Sequence, residues 1–199
     1  MTFTLELLDH LQARYCVDPA RLYASGQSNG GGFTGMLACD ATASARIAAF
    51  APVSGAFYLV RGTNHLPPCS PARPVIPILE LHGAIDQTIL YDGGSNKRGD
   101  ANTTSIPAWV DDWAQRDGFS VDDKVVGSLC SGEKTVATEN WKDTVVHYKY
   151  ANIGHDWMSA DGHGGKTNAT CAAADATRVV VDFFKKWSLE GTVVVGGGQ

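Results

Sequence analysis

The sequence predicts an α/β protein in which a mostly parallel sheet carries helices on both faces. Three observations lead to this fold class: short apolar runs typical of buried strands, amphipathic helical segments between them, and connections long enough for parallel crossovers. The chain has 199 residues, 44% of them hydrophobic, so it can bury one core. No repeat or internal linker divides it. We expect one domain over residues 1–189 and a flexible tail over 190–199.

Four helices are predicted. In the first, Leu5, Leu8 and Leu11 recur at the three-residue spacing of one helix face. Pro107 suits the first turn of the third, because the N–H that proline lacks would be unpaired there anyway. The predicted helices are Thr4–Tyr15, Phe33–Cys39, Ser105–Arg116 and Ala173–Trp187.

Four strands are predicted between these helices. The third contains Ile76, Ile78 and Leu79 and reads as a buried apolar run, whereas the fourth alternates between apolar and polar residues. Residues 26–32 are expected to form a glycine-rich turn, and residues 56–74, with four prolines, a long loop. The predicted strands are Arg21–Ser25, Ile47–Val53, Val75–Leu81 and Thr144–Tyr150.

Charge and hydropathy argue against two classes of protein. The 16 basic and 21 acidic residues give a net charge of −5, and no basic run is present, which disfavours nucleic-acid binding. The apolar segments are too short or too interrupted to span a membrane.

The cysteines indicate a secreted protein. Five cysteines without a C-x-x-C pair favour disulfides over a zinc or thioredoxin-like site, and Asn102 and Asn168 begin glycosylation sequons. The chain itself opens without the basic segment of a signal peptide. We expect one bridge between two of the first three cysteines, a second between the last two, and one thiol left over. The cysteines are Cys16, Cys39, Cys69, Cys130 and Cys171.

The strongest motif is Gly26-Gln-Ser28-Asn-Gly30, which fits G-x-S-x-G between a predicted strand and a predicted helix. This arrangement lifts a serine hydroxyl above the sheet on a sharp turn, and the flanking glycines are expected to let strand and helix pass closely. Ser28 is therefore the candidate nucleophile. The backbone N–H of Asn29 is the candidate oxyanion donor.

A serine nucleophile of this kind needs an acid and a histidine later in the chain, each after a strand. Asp86 follows the third predicted strand closely and is preferred over Asp92 as the acid. His155 follows the fourth directly and is preferred over His163 as the base. Such a triad performs acyl transfer to water through a covalent acyl-enzyme.

The remaining candidates are less specific. Trp157 and Met158 can line an acyl pocket or belong to the core. His82 is expected to be packed and hydrogen-bonded. No metal-ligand spacing joins the remaining histidines, which are His10, His65 and His147.

Three segments resemble secreted fungal feruloyl esterases of carbohydrate esterase family 1, relatives of polyhydroxybutyrate depolymerases and acetylxylan esterases. They are Cys16–Phe33, Leu81–Gly94 and Gly154–Trp157, which occur in the family's order. The resemblance implies an α/β-hydrolase fold and an extracellular enzyme with Ser28, Asp86 and His155 as its triad. It also implies no metal or organic cofactor. The implied substrates are feruloylated plant cell-wall polysaccharide or small aryl and acyl esters, with acetylxylan or polyester as alternatives.

Two departures from the family pattern change the expectations. Leu90 stands where the family usually has proline, which can reshape the wall of the substrate pocket. The family also has a segment before the first helix that supplies early strands, a second oxyanion donor and the secretion signal. We therefore expect a sheet that lacks its first strands, with an exposed edge at the strand before Ser28. A truncated, catalytically impaired copy or a binding protein is the remaining alternative.

Overall fold

The computed structural model describes residues 1–161 and 170–192. A six-stranded sheet has the order β1-β2-β3-β8-β7-β6; its first four strands are parallel, and β7 and β6 continue it antiparallel. Two-stranded ribbons join β4 to β5 and β9 to β10. The strands are β1 (Tyr23–Gln27), β2 (Ala49–Val53), β3 (Ile78–Gly83), β4 (Gly94–Ser95), β5 (Asn102–Thr103), β6 (Val125–Leu129), β7 (Val136–Trp141), β8 (Val145–Tyr150), β9 (Trp187–Ser188) and β10 (Gly191–Thr192).

Helices cover both faces of this sheet. They are α1 (Thr2–Arg14), α2 (Asn29–Cys39), α3 (Ala41–Ser44), α4 (Ile106–Arg116) and α5 (Ala176–Lys185). Phe50 and Ile78 pack with α2 and α4 in one core, whereas Leu79 and Leu81 pack with α5 in the other. Neighbouring strand residues thus bury opposite faces of the sheet, as the period of a strand requires. This arrangement confirms the predicted α/β class with its mostly parallel sheet.

Strands β6 and β7 were not predicted from the sequence. Val125 and Val126 of β6 are 71% and 67% exposed, and β7 mixes polar residues with apolar ends. Such strands at the margin of a sheet lack the buried apolar run that marks a central strand.

The predicted helix boundaries are least accurate at α2 and α5. Helix α2 begins at Asn29 rather than Phe33, because close packing against the loop after β2 overrides the poor helix propensity of its glycines. Helix α5 begins at Ala176 rather than Ala173, after a short 3₁₀ turn, and it ends at Lys185, so that Trp187 belongs to β9 instead.

Strand β1 lies at one edge of the sheet, with β2 as its strand partner, as expected. Two disulfides join Cys39 to Cys69 and Cys130 to Cys171, while Cys16 is an exposed thiol. Both bridges agree with the predicted pairing. Of the helices within the described residues, none has the length and apolar character that crossing a membrane requires.

Candidate active site

The three candidate catalytic residues follow parallel strands of the sheet. Ser28 comes directly after β1, Asp86 lies three residues after β3, and His155 lies five residues after β8. The carboxyl ends of parallel strands meet at one edge of a sheet, which is where open α/β sheets bind their ligands. The topology therefore brings all three loops to the same edge.

Ser28 has a strained backbone, with φ at 60° and ψ at −121°, a conformation that residues with a side chain seldom adopt. Three hydrogen bonds hold it there. Its N–H donates to the carbonyl of Val53 at 3.0 Å, and its own carbonyl accepts from Gly32 at 2.9 Å and Ala56 at 3.0 Å. The turn is thus fixed by main-chain contacts with α2 and with the loop after β2.

Glycines allow this turn to form, although Gly30 does not act as expected. A Cβ on Gly26 would lie 2.5 Å from the carbonyl oxygen of Gly30, and one on Gly32 would lie 2.2 Å from that of Ala56. A Cβ on Gly30 itself would meet nothing within 4 Å. The close approach therefore requires glycine at positions 26 and 32 rather than at both ends of the motif.

Asn29 is the first residue of α2, so its backbone N–H is among those that a helix start leaves without an intrahelical partner. Its side-chain Oδ1 accepts a hydrogen bond from the Tyr58 hydroxyl at 3.1 Å. The N-terminal end of α2, with its partial positive charge, thus lies directly beside the Ser28 hydroxyl.

Asp86 and His155 form a close pair. The Nδ1–H of His155 donates to Oδ2 of Asp86 at 2.7 Å, and the Asp86 side chain is fully buried while that of His155 is 20% exposed. The other carboxylate oxygen, Oδ1, accepts from the N–H groups of Thr88 at 2.7 Å and Ile89 at 2.9 Å. Both oxygens of this carboxylate therefore accept hydrogen bonds.

These partners determine the charge of Asp86. Burial by itself would raise the pKa of Asp86, but hydrogen bonds from His155, His82 and the two backbone N–H groups hold that pKa well below its usual range. The carboxylate is therefore ionised at any pH near neutrality. It fixes the tautomer of His155 with the proton on Nδ1, so that Nε2 is the ring nitrogen able to accept a proton.

No hydrogen bond joins the Ser28 hydroxyl to His155 among the described residues. The structure thus brings the acid and the histidine into direct contact and places the serine at the same sheet edge without that last contact. Catalytic hydrogen bonds often tighten only when substrate is bound. A serine on a strained strand–helix turn beside an Asp–His pair has the parts needed for nucleophilic catalysis.

The other sequence candidates lie elsewhere. Asp92 is exposed. Met158 is fully buried in the core beside α5, and the half-buried Trp157 donates from Nε1 to Thr177 of α5 at 3.0 Å. Leu90 is half-buried.

Of the candidate glycosylation sites, Asn102 is exposed on β5, so a glycan there stays a prediction. His163 and Asn168 lie outside the described residues.

A cavity of about 1290 Å³ opens beside Ser28 and Asn29. Its described lining includes neither Trp157 nor Leu90. Aromatic and aliphatic side chains form much of the wall. Charged side chains of both signs also line it: Asp40, Lys97, Arg98, Asp100, Asp112 and Arg116. The apolar wall residues include Phe57, Tyr58, Leu66, Ile89 and Trp109. A cleft that combines apolar walls with polar groups is typical of a site for a small organic ligand.

His82 is packed and hydrogen-bonded, as expected, but sequence reasoning missed that it belongs to a buried polar cluster behind Asp86. Its members are Glu80 and His82 on β3, Tyr91 after β3, and His147 on β8. One signal in the sequence could have revealed it. Glu80 and His82 are polar residues at alternate positions of an otherwise apolar strand, so their side chains point to the same face of the sheet. The partner of Glu80 on β8, His147, is 67 residues away from it and follows only from the strand register.

The chain has similarities to two known esterases, whereas no family model matches it. It is 39% identical over 92 residues to feruloyl esterase B of Piromyces equi, a stretch that covers 46% of this chain and 16% of that protein. Among solved structures, the acetyl xylan esterase from Aspergillus awamori matches with a TM-score of 0.52 and 15% identity, covering 77% of this chain and 61% of the other. The chain therefore spans less than two thirds of either protein. At 15% identity the second likeness shows the fold alone, which is α/β.

Proposed function

We propose that this protein is a serine carboxylic-ester hydrolase in which Ser28 is the nucleophile, His155 the general base and Asp86 the residue that orients the base. The observation that carries the proposal is the 2.7 Å contact between His155 Nδ1 and Asp86 Oδ2, at the same sheet edge as a serine on a strained strand–helix turn. Partial similarity to a feruloyl esterase supports the same class of reaction.

The reaction begins when Nε2 of His155 takes the proton of the Ser28 hydroxyl as its Oγ attacks the ester carbonyl carbon. The carbonyl oxygen then carries negative charge, which the backbone N–H of Asn29 stabilises at the start of α2. The C–O bond to the alcohol breaks, and the alcohol leaves with the proton from His155. Water attacks the acyl-enzyme by the same route in reverse and frees the acid.

The proposed substrates are hydroxycinnamoyl esters of plant cell-wall polysaccharide. An aromatic acyl group matches the apolar, partly aromatic cavity next to Ser28, and the curated relative with 39% identity is a feruloyl esterase. We also propose that the protein is extracellular. Its two disulfides favour this location because such bonds persist mainly in oxidising compartments.

The test is the release of ferulate from methyl ferulate by the purified protein, measured beside hydrolysis of 4-nitrophenyl acetate. Ser28→Ala should lower kcat on both esters by at least about 10⁴-fold, because the nucleophile is gone. Ser25→Ala is the matched control: this hydroxyl lies on β1 and bonds to the carbonyl of Ala51, so activity should persist.

Unchanged turnover by Ser28→Ala would overturn the serine mechanism. Turnover of the acetyl ester alone, with Ser28 required, would keep the mechanism and replace the feruloyl substrate by a small acyl group, such as the acetyl group of acetylxylan.

A further inference from the structure

A chain of buried polar side chains continues from the Asp86–His155 pair into the protein. Glu80 and His82 lie on alternate residues of β3, and Glu80 is paired in register with His147 on β8. The side chains of Glu80 and His82 have no exposed surface, and that of His147 is 2% exposed. The proposed reaction uses none of these three side chains directly.

The contacts of His82 define its protonation state. Its Nδ1 lies 3.1 Å from Oε1 of Glu80, and its Nε2 lies 3.0 Å from the carbonyl oxygen of Ile89 and 3.4 Å from Oδ2 of Asp86. All three partners are acceptors, and a carbonyl oxygen has no proton to give. The carbonyl of Ile89 therefore requires a hydrogen on Nε2, and an ionised Glu80 requires a second one on Nδ1, which makes His82 an imidazolium.

His147 differs from His82 in this respect. Its Nδ1 also faces acceptors, 2.8 Å from Oε2 of Glu80 and 3.2 Å from the Glu80 carbonyl, but its Nε2 lies 2.9 Å from the Tyr91 hydroxyl, which is able to donate. His147 can thus be neutral with all its contacts satisfied. The buried carboxylate of Glu80 then has one cationic partner, His82.

The pKa shifts of His82 and Glu80 agree with a charged His82 beside an ionised Glu80. Burial would lower the pKa of His82, but hydrogen bonds to Asp86 and Glu80 outweigh it and raise that pKa to about 10. Burial would raise the pKa of Glu80, and its hydrogen bonds with His147 and His82 lower it instead. A buried carboxylate and a buried imidazolium stabilise each other here, since either one alone would be costly to ionise.

We propose that His82, held as an imidazolium by Glu80, is a positioning residue for the Asp86–His155 pair and sets the acidic limit of the esterase activity. The proposal rests on the proposed function, because its effect is exerted through the catalytic base. Two features of the geometry lead to it.

The first feature is charge. His82 Nε2 lies 3.4 Å from Oδ2 of Asp86, and the same oxygen accepts from His155. A positive charge there offsets part of the negative charge that His155 faces. Without it, protonated His155 would be stabilised more strongly, and the enzyme would lose its base at a higher pH.

The second feature is the position of the loop after β3. His82 Nε2 donates to the carbonyl of Ile89, while the N–H of Ile89 donates to Oδ1 of Asp86 at 2.9 Å. His82 thus holds the segment that in turn holds the carboxylate. Besides His155, the titratable and charged groups around this cluster are Glu80, Asp86, Tyr91, Asp92, Asp111, Glu139, His147 and Lys149.

The experiment measures kcat/KM for a soluble ester as a function of pH in the full chain. We expect His82→Gln to move the acidic limb of the profile upward by about one pH unit, because the charge is lost while an amide can still donate to Ile89. Since a lone buried Glu80 can impair folding of that variant, Glu80→Gln/His82→Gln replaces both charges by amides. This double variant should show a smaller shift in the same direction.

His147→Gln is the matched control, a buried histidine on the same cluster that does not contact Asp86. It should lower stability but leave the acidic limb where the wild-type protein has it. A folded double variant whose acidic limb is unmoved would overturn the proposal, and so would an equal shift in His147→Gln.

A second readout needs no turnover. In ¹⁵N NMR of imidazole nitrogens, His82 should be doubly protonated at pH 7, and a neutral His82 would overturn the proposal whatever the activity. By contrast, a wild-type protein without Ser28-dependent turnover would overturn the proposed function, which distinguishes the two failures.

Discussion

Ser28 stands at the end of an edge strand, whereas Asp86 and His155 follow the two adjacent strands β3 and β8 in the middle of the sheet. Main-chain hydrogen bonds and close glycine contacts hold the serine. Side-chain partners in a buried cluster hold the acid and the base. The nucleophile should therefore be sensitive to added volume, and the acid–base pair to altered charge.

The largest effect is expected on the acid–base side. Asp86→Asn should lower kcat by about 10⁴-fold, because an amide can favour the wrong tautomer of His155 and removes one of the two carboxylates that face the charged His82. The measurement is steady-state hydrolysis of methyl ferulate, with circular dichroism to verify folding. Asp92→Asn, an exposed residue of the same loop, is the control and should stay within about twofold. More than a tenth of wild-type activity in a folded Asp86→Asn would contradict the assignment.

A second buried carboxylate, Asp117, lies near the other end of β3. Comparing it with Asp86 shows how hydrogen-bond and charge partners set the pKa of a buried carboxyl group. Its Oδ1 accepts one hydrogen bond, from the N–H of Ile76 at 3.1 Å. Burial raises the pKa of Asp117 to about 7, and the N–H of Ile76 and the charge of Arg73 offset this only in part. Asp86 is also buried, yet its pKa is held low, so partners rather than burial decide the charge.

This difference predicts a pH-dependent stability. The folded protein binds the Asp117 proton more tightly than the unfolded chain, so its contribution to stability is lost as pH rises from about 4 to about 7. Asp117→Asn should remove that loss. The free energy of unfolding of the variant minus that of the wild type should therefore increase by up to about 4 kcal/mol as pH rises over this range. Urea unfolding at pH 4, 6 and 8 measures it, with the exposed Asp122→Asn as control. A difference between wild type and Asp117→Asn that is the same at all three pH values would refute this account.

On the nucleophile side, two glycines of one motif should behave differently. Gly26→Ala should destabilise the fold by about 3 kcal/mol and lower kcat/KM by about 10²-fold, because its Cβ would collide with the Gly30 backbone and displace Ser28. Gly30→Ala should be neutral or stabilise by up to about 1 kcal/mol, since it adds a methyl group in open space on a helix. Urea unfolding and ester turnover measure both. Equal effects at the two positions would show that the turn is not held by this close approach.

The parts of the structure that sequence could predict are those with local signals. Apolar runs predicted the central strands β2 and β3. The positions of the cysteines suggested the Cys130–Cys171 bridge and one bridge among the first three cysteines, without saying which two form it. Strand β6 was not predicted because its valines face solvent. The start of α2 was not predicted because tertiary packing overrides the low helix propensity of glycine.

The candidate site also has a part that the sequence could predict and a part that it could not. Chain order and loop position suggested Asp86 and His155, and the structure brings them into contact. The surroundings of His82 could not be predicted, because they depend on the register that pairs Glu80 with His147 across two strands. Sequence spacing shows which residues follow a strand, but not which side chains meet beneath it.

The most direct test of the central claim is to identify the residue that becomes covalently modified. The protein is treated with a 4-nitrophenyl alkylphosphonate ester, which traps an activated serine, and the labelled peptide is identified by mass spectrometry. The account predicts one adduct on Ser28, loss of ferulate release in proportion to labelling, and no adduct in Ser28→Ala. Full ferulate release by a protein labelled at Ser28, or an inactivating adduct at another residue, would contradict it.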